Sequence, residues 1–360
     1  MNLDVLLETR GAVGLVTLNR PKALNALGLG MIRAVHAALD TWERDSQVKA
    51  VVIRGAGGRA FCSGGDVRAV ALSLGPTPFE EQEPLSRAFF REEYRLNHRI
   101  HHYGKPYIAL VDGICMGGGL GLSMHGSHRV VTERVALAMP ETAIGLVPDV
   151  GGGWFLPRFP GESGTYLGLT GARCNAGDAL WLGYGTQHVT HDRLESVVEA
   201  LAKADWSTGE AREVATRVLS GFASEAGPSP LRGLAGAIDR CFGKDSVEEI
   251  LVALEAERTP WAEETHTTLG RMSPTSLKVT LRQLRLCRGL HYDEVVPVEY
   301  RLSQHCTARP DFSEGIRAVL VEKDHRPRWN PATLAGVSER DVEACFAPTL
   351  DGDLVVGEPR

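Results

Sequence analysis

Lys49-Ala50-Val51-Val52-Ile53-Arg54-Gly55 is an apolar run closed by a glycine, and it empties into Gly57-Gly58-Arg59-Ala60-Phe61-Cys62-Ser63-Gly64-Gly65-Asp66. A short β-branched run of this kind reads as a strand covered on both faces. Glycines between such a strand and a following helix let backbone N–H groups approach whatever binds there. The order returns at Pro106-Tyr107-Ile108-Ala109-Leu110-Val111, then Asp112-Gly113-Ile114-Cys115-Met116-Gly117-Gly118-Gly119 and a short helix of small residues, Leu120 to Gly126. Strand, glycine turn and helix, twice over, predict an α/β fold with parallel strands whose carboxyl ends carry the site.

Working outward, alternation over Val5–Thr9 and Val13–Leu18 predicts two strands joined at Gly11, and apolar spacing from Asn25 to Arg44 predicts a helix. Residues 67–104 read as helix interrupted at Gly75-Pro76-Thr77-Pro78, with a second helix from Pro84 to His102. His125-Gly126-Ser127-His128-Arg129-Val130-Val131 leads into another strand, Val135-Ala136-Leu137-Ala138 brings the chain to an acidic stretch, helices follow at Trp154–Leu169 and Asn175–Gly183, and a last strand at Thr186–Val189. Beyond about residue 200, Glu, Arg, Ala and Leu recur at helical spacing between the breakers Gly221, Gly227-Pro228, Gly243 and Pro274. The expected organisation is a core over residues 1–200, a helical region over 201–345 and a loose tail over 346–360.

Met139-Pro140-Glu141-Thr142-Ala143-Ile144-Gly145-Leu146-Val147-Pro148-Asp149-Val150-Gly151-Gly152-Gly153 places two acids in an otherwise apolar, glycine- and proline-rich stretch. Two prolines and a triple glycine disfavour one continuous helix, so a folded-back loop is expected. Carboxylates in such company are paired, protonated or put to use, because an isolated buried charge is costly. The plainer alternative is that Asp149 caps a helix near Gly151 and Glu141 is half exposed.

The formal net charge of -6 and the lack of any Lys/Arg run argue against a nucleic-acid footprint. No segment has the apolar length to span a bilayer, and the N-terminus has neither a basic start nor a long apolar stretch. Seven scattered cysteines, an odd number with no CxxC pair, point to reduced thiols and a cytoplasmic setting. The glycine clusters match neither a phosphate-cradling loop nor a dinucleotide fingerprint. Each alone is compatible with tight packing. Together with the acids they predict that the amides of Gly65 and Gly118 converge on a carbonyl oxygen, each stabilising developing charge by on the order of 3 kcal/mol. A thioester is such a carbonyl.

At Ala60-Phe61-Cys62-Ser63-Gly64-Gly65-Asp66, Met116-Gly117-Gly118-Gly119-Leu120-Gly121 and the acidic stretch, the chain resembles the crotonase superfamily of acyl-coenzyme A enzymes. Within it, Phe89-Phe90-Arg91-Glu92-Glu93-Tyr94, Ser273-Pro274-Thr275-Ser276-Leu277-Lys278 and Phe312 to Leu320 are similar to the subfamily that hydrolyses 3-hydroxyisobutyryl-CoA in valine breakdown. The resemblance implies a spiral of repeated ββα turns with a helical C-terminal region, and an oxyanion hole of the Gly65 and Gly118 amides. It implies Glu141 as nucleophile, through a mixed anhydride, or as general base towards water, and Asp149 as the orienting acid. Both routes require an ionised Glu141. Glu93 joins Gly118, Glu141 and Asp149 on the substrate side, and coenzyme A is expected along Lys22-Ala23-Leu24 and Phe61-Cys62-Ser63. No cofactor is implied, since CoA belongs to the substrate.

Hydratases of the superfamily place a second glutamate just after the triple glycine, where this chain has Gly121. Losing that side chain argues against hydration, but Asp149 offers a substitute acid from another direction, so hydration or isomerisation of an enoyl-CoA stays the alternative activity, and a non-catalytic acyl-CoA binder a third. His101, His102, His125 and His128 show no ligand pattern with a further partner, so no metal is expected. Cys62 and Cys115 are expected to pack rather than attack. A homo-oligomer is compatible with the resemblance, since crotonases often form trimers, although the extra helices could cover that surface.

Overall fold

A computed structural model describes residues 3–74, 85–349 and 352–357. The Gly75 to Pro78 interruption, the Pro84 helix start and residues 358–360 of the tail lie outside the described residues. Nine strands form among those described: β1 (Val5–Arg10), β2 (Val13–Leu18), β3 (Ala50–Gly55), β4 (Ala60–Cys62), β5 (Tyr107–Val111), β6 (Ile114–Met116), β7 (His128–Val131), β8 (Ala136–Ala138) and β9 (Gln187–His188). A six-stranded sheet runs β1-β2-β3-β5-β7-β9, and a three-stranded sheet runs β4-β6-β8. In the larger sheet only β1 and β2 pair antiparallel.

A strand of the large sheet is followed by a strand of the small one and then by helix, three times: β3, β4 and Val67–Ser73; β5, β6 and Gly118–Met124; β7, β8 and a 3-10 turn at Glu141–Ile144. These are the ββα turns expected from the resemblance. The sequence pattern gives only two because β4, β6 and β8 are three residues long and the first two lie inside segments that read as glycine turns.

By contacts the chain groups into two units, each discontinuous in sequence. The first comprises Met1–Gly65, Arg95–Leu137 and Arg173–Arg232. Its core is set by register: Leu15 pairs with Val52, and Val52 with Ile108. Alternate strand residues share a face, so these side chains form one apolar row. Val197, Val198 and Leu201 of the Leu194–Lys203 helix, with Ala215 and Leu219 of Ala211–Ser220, belong to the same buried cluster.

The second unit comprises Asp66–Tyr94, Ala138–Ala172 and Gly233–Arg360, and it carries the acidic stretch. No strand occurs beyond residue 200 among the described residues. Thr259, Ser273 and Ser338 each accept an N-terminal amide of the helix they precede, which fixes where those helices begin.

Three local expectations are corrected. The first helix begins at Leu29, because Leu24 and Asn25 adopt left-handed backbones and the Asn25 amide donates to the carbonyls of Ala56 and Ala60. Trp154–Leu169 is not one helix: Gly152–Phe155, a 3-10 turn at Leu156–Arg158 and Ser163–Thr170 are separated around Pro157 and Pro160. Part of the expected loose tail is tied down, with Leu354 buried and Asp353 paired to Arg301.

Candidate active site

Glu141 opens its 3-10 turn directly after Pro140, whose missing amide proton suits that boundary. The turn is held by neighbours in its own unit. Thr142 Oγ1 donates to the Leu169 carbonyl at 3.0 Å, and the Thr142 carbonyl accepts from Ser273 N at 3.1 Å. Gly315 lies so close to Ile144 that an added Cβ would stand 2.5 Å from its backbone. Glu141 is thus on a rigid mount and is 5% exposed, against the half-exposed alternative.

Asp149 sits in the irregular turn between Pro148 and the Gly152–Phe155 helix, 4% exposed. Its Oδ2 accepts from the Tyr94 hydroxyl at 2.7 Å. Tyr94 and Glu93 are neighbours on the Leu85–His101 helix, and Glu93 is 2% exposed. The three acids Glu93, Glu141 and Asp149 are therefore brought together inside one unit, near enough for their charges to act on one another.

Burial is the largest influence on each of them, and it disfavours the charged form. Asp149 is pushed up to about 6, with the Tyr94 hydrogen bond and a backbone amide restraining the rise. Glu141 is raised further by burial and then by the charge of Asp149. Glu93 is raised by burial, then by Asp149, then by Glu141. Such a group ionises in steps that belong to the cluster as a whole. Glu93 Oε1 and Glu141 Oε2 are buried without a hydrogen-bond partner among the described residues. Buried polar atoms are rarely left so.

The glycine turns belong to the other unit. β4 and β6 pair in parallel, Ala60 with Ile114 and Cys62 with Cys115, which sets their carboxyl ends side by side. Gly117, at φ 46° and ψ -118°, is in a region closed to other residues, and this turn presents the Gly118 amide at the start of the Gly118–Met124 helix. The first amides of a helix have no intrahelical acceptor. Neither the Gly65 nor the Gly118 amide has a hydrogen-bond partner among the described residues. Gly119 serves packing, since a Cβ there would stand 2.4 Å from the Cys62 carbonyl oxygen.

Of the segments expected to carry coenzyme A, Lys22 and Ala23 are exposed, Leu24 and Ser63 half-buried and Phe61 buried. They lie together: Ser63 N donates to the Leu24 carbonyl at 3.0 Å and Ser63 Oγ to the Ala23 carbonyl at 3.5 Å.

Residues 13–346 match the enoyl-CoA hydratase/isomerase family. This chain belongs to that family. Family members of similar sequence include the mitochondrial 3-hydroxyisobutyryl-CoA hydrolase of Danio rerio, 47% identical over 98% of this chain and 91% of that protein. The enzyme of that name from Homo sapiens is 43% identical over 98% and 90%. Among solved structures, a carnitinyl-CoA dehydratase from Mycobacterium thermoresistibile is 41% identical, with a TM-score of 0.89 covering 98% of this chain and 99% of that one. An enoyl-CoA hydratase from Rhodobacter sphaeroides is 38% identical with a TM-score of 0.88, covering 98% and 99%. The crotonase fold is thus the fold of this family member, and Gly121 is buried within the Gly118–Met124 helix.

Three residues at the acid cluster escape a sequence reading. Tyr94 looks like one more aromatic on an apolar helix face. Glu299 accepts the amides of Gly151 and Gly153 at 2.7 and 2.8 Å, and Gln283 Nε2 donates to the Pro148 carbonyl at 2.8 Å. A signal for Glu299 existed: it falls on the stripe of Tyr292, Val295, Val296, Leu302 and Cys306 that is buried along the Tyr292–Thr307 helix, where an acid is out of place. His128 is structural in kind, hydrogen-bonded to Thr216 and pushed down to about 4 by burial. All seven cysteines are buried free thiols, and burial pushes the Cys115 thiol up to about 12, unsuited to attack.

Proposed function

We propose that this protein hydrolyses a short 3-hydroxyacyl-CoA thioester, 3-hydroxyisobutyryl-CoA before others, to the free hydroxy acid and coenzyme A, the step expected of it in valine breakdown. The observation that carries this reading is similarity of 43–47% identity along nearly the whole chain to hydrolases named for that substrate. The buried acid cluster supports it with suitable chemistry.

In this reading the Gly65 and Gly118 amides stabilise the oxygen of the thioester as it gains charge. Glu141, ionised, either attacks the acyl carbon to expel the CoA thiolate and form a mixed anhydride that water then opens, or takes a proton from water as it attacks. Asp149 orients the reacting groups. Glu93, whose carboxyl is pushed up by burial and then by the charges of Asp149 and Glu141, faces the substrate side. Coenzyme A follows the Lys22–Leu24 and Phe61–Ser63 segments, and no cofactor takes part.

Hydration or dehydration of an acyl-CoA is a second reading, favoured by the names of the two solved structures. Gly121 weighs against it, since a glycine offers no second acid there. The test is a thiol-release assay on 3-hydroxyisobutyryl-CoA beside loss of enoyl absorbance from crotonyl-CoA. Thiol release faster than enoyl consumption is the expected result. No release above the blank would overturn the hydrolase reading.

A further inference from the structure

We infer that Glu299 is a positioning residue for the reaction: together with Gln283 it clamps the strained turn around Asp149 and so fixes where that acid points. The inference rests on the role proposed for Asp149.

The turn needs holding. Val150, directly after Asp149, has φ 50°, a left-handed backbone that a β-branched side chain adopts only under constraint, and Gly151 follows at φ 97°. Two such residues in succession turn the amides of Gly151 and Gly153 towards Glu299, whose Oε2 and Oε1 take one each. On the other side of Asp149, Gln283 Nε2 holds the Pro148 carbonyl at 2.8 Å and lies 3.4 Å from Glu299 Oε1. The chain is thus gripped at 148, 151 and 153, before and after the acid, by the Pro274–Cys287 and Tyr292–Thr307 helices.

Two acceptor oxygens on one side chain are needed for this. Glu299 is 1% exposed, and both its oxygens serve as acceptors. A glutamine would present an NH2 group to one of the two amides and leave it unsatisfied. The clamp holds Asp149 at 2.7 Å from the Tyr94 hydroxyl, a distance over which a small displacement of the turn breaks the bond.

The experiment compares wild type, Glu299→Gln and Gln283→Leu. Glu299→Gln should lower kcat at least thirtyfold with KM within threefold, and Gln283→Leu should lower it less, again at unchanged KM. Hydrogen exchange of the peptide covering 146–155 should accelerate at least tenfold in Glu299→Gln while other peptides keep their wild-type rates. Unchanged kcat, or kcat and KM shifting together with exchange raised throughout the chain, would overturn the positioning role. Should Glu299→Gln not fold, Gln283→Leu decides alone by the same two readouts. Exchange needs no substrate, and kcat is read on whichever acyl-CoA the wild type turns over, so failure of 3-hydroxyisobutyryl-CoA as substrate is distinguishable from failure of the clamp.

Discussion

Tyr94→Phe removes one hydroxyl and isolates its effect on Asp149. The hydroxyl donates to Asp149 Oδ2 at 2.7 Å in a fully buried setting, so it favours the charged form, while burial works the other way and holds the acid at about 6. A hydrogen bond to a charged group contributes about 1.5–3 kcal/mol net. At about 1.4 kcal/mol per pKa unit, its loss raises Asp149 by roughly one to two units, to roughly 7–8. The ionised fraction at pH 7 then falls from about nine-tenths to between one-half and one-tenth. The pH profile of kcat/KM by thiol release should show the lower break moved to higher pH, with roughly a two- to tenfold loss at pH 7 and recovery near pH 9. A profile that overlays wild type would refute the coupling. A loss equal at every pH would show that Tyr94 acts through shape alone.

Glu141→Gln should abolish CoA release, by on the order of a thousandfold or more, with circular dichroism and melting temperature near wild type; full activity would move the chemistry elsewhere. Gly117→Ala forces a side chain into the φ 46°, ψ -118° backbone ahead of the Gly118 amide. It should cost about 1–3 kcal/mol of stability and roughly a hundredfold or more in kcat, read by melting and steady-state kinetics. Stability should fall as pH rises from 6.5 to 8.5. The carboxyl of Glu299 is raised to about 8 by burial, above its unfolded value, so in that window the native state binds more protons than the unfolded one. His128, held near 4, opposes this only below about pH 6.5, and Glu299→Gln should flatten the slope of melting temperature against pH.

The larger part of the fold was legible because its signals are local. β3 and β5 are unbroken apolar runs, and the glycines after them leave few alternatives to a tight turn. What was lost are elements without a period: three-residue strands, and the breaks that Pro157 and Pro160 impose on a stretch whose apolar spacing alone suits a helix. The acids divide similarly. Glu141 and Asp149 stand out against glycine and proline, whereas Tyr94, Gln283 and Glu299 act through contacts 55 to 148 residues away in sequence. No pattern along the chain encodes such pairings. The resemblance pointed to Glu93, which by its helix alone would pass for a surface acid.

Glu141 poses the remaining chemical question. Either thioester route needs it ionised, yet burial and the charge of Asp149 both favour its neutral form. Asp149 is pushed up less far, to about 6, and because the acids act on one another their protons come off in steps that belong to the cluster. Glu141 becomes ionised either by loss of a second proton from the pair above that pH, which gives the pair two charges, or by passing its proton to Asp149, which leaves the pair with one. The two cases are separable. Where Glu141 must ionise in addition, kcat/KM climbs through two successive breaks, and Asp149→Asn lowers the upper one by removing a like charge. Where the pair shares its proton, the profile levels off above the single Asp149 break, and Asp149→Asn removes the proton acceptor and with it the activity. Measuring the upper break in wild type and Asp149→Asn therefore distinguishes an acid that merely orients from one that takes the proton.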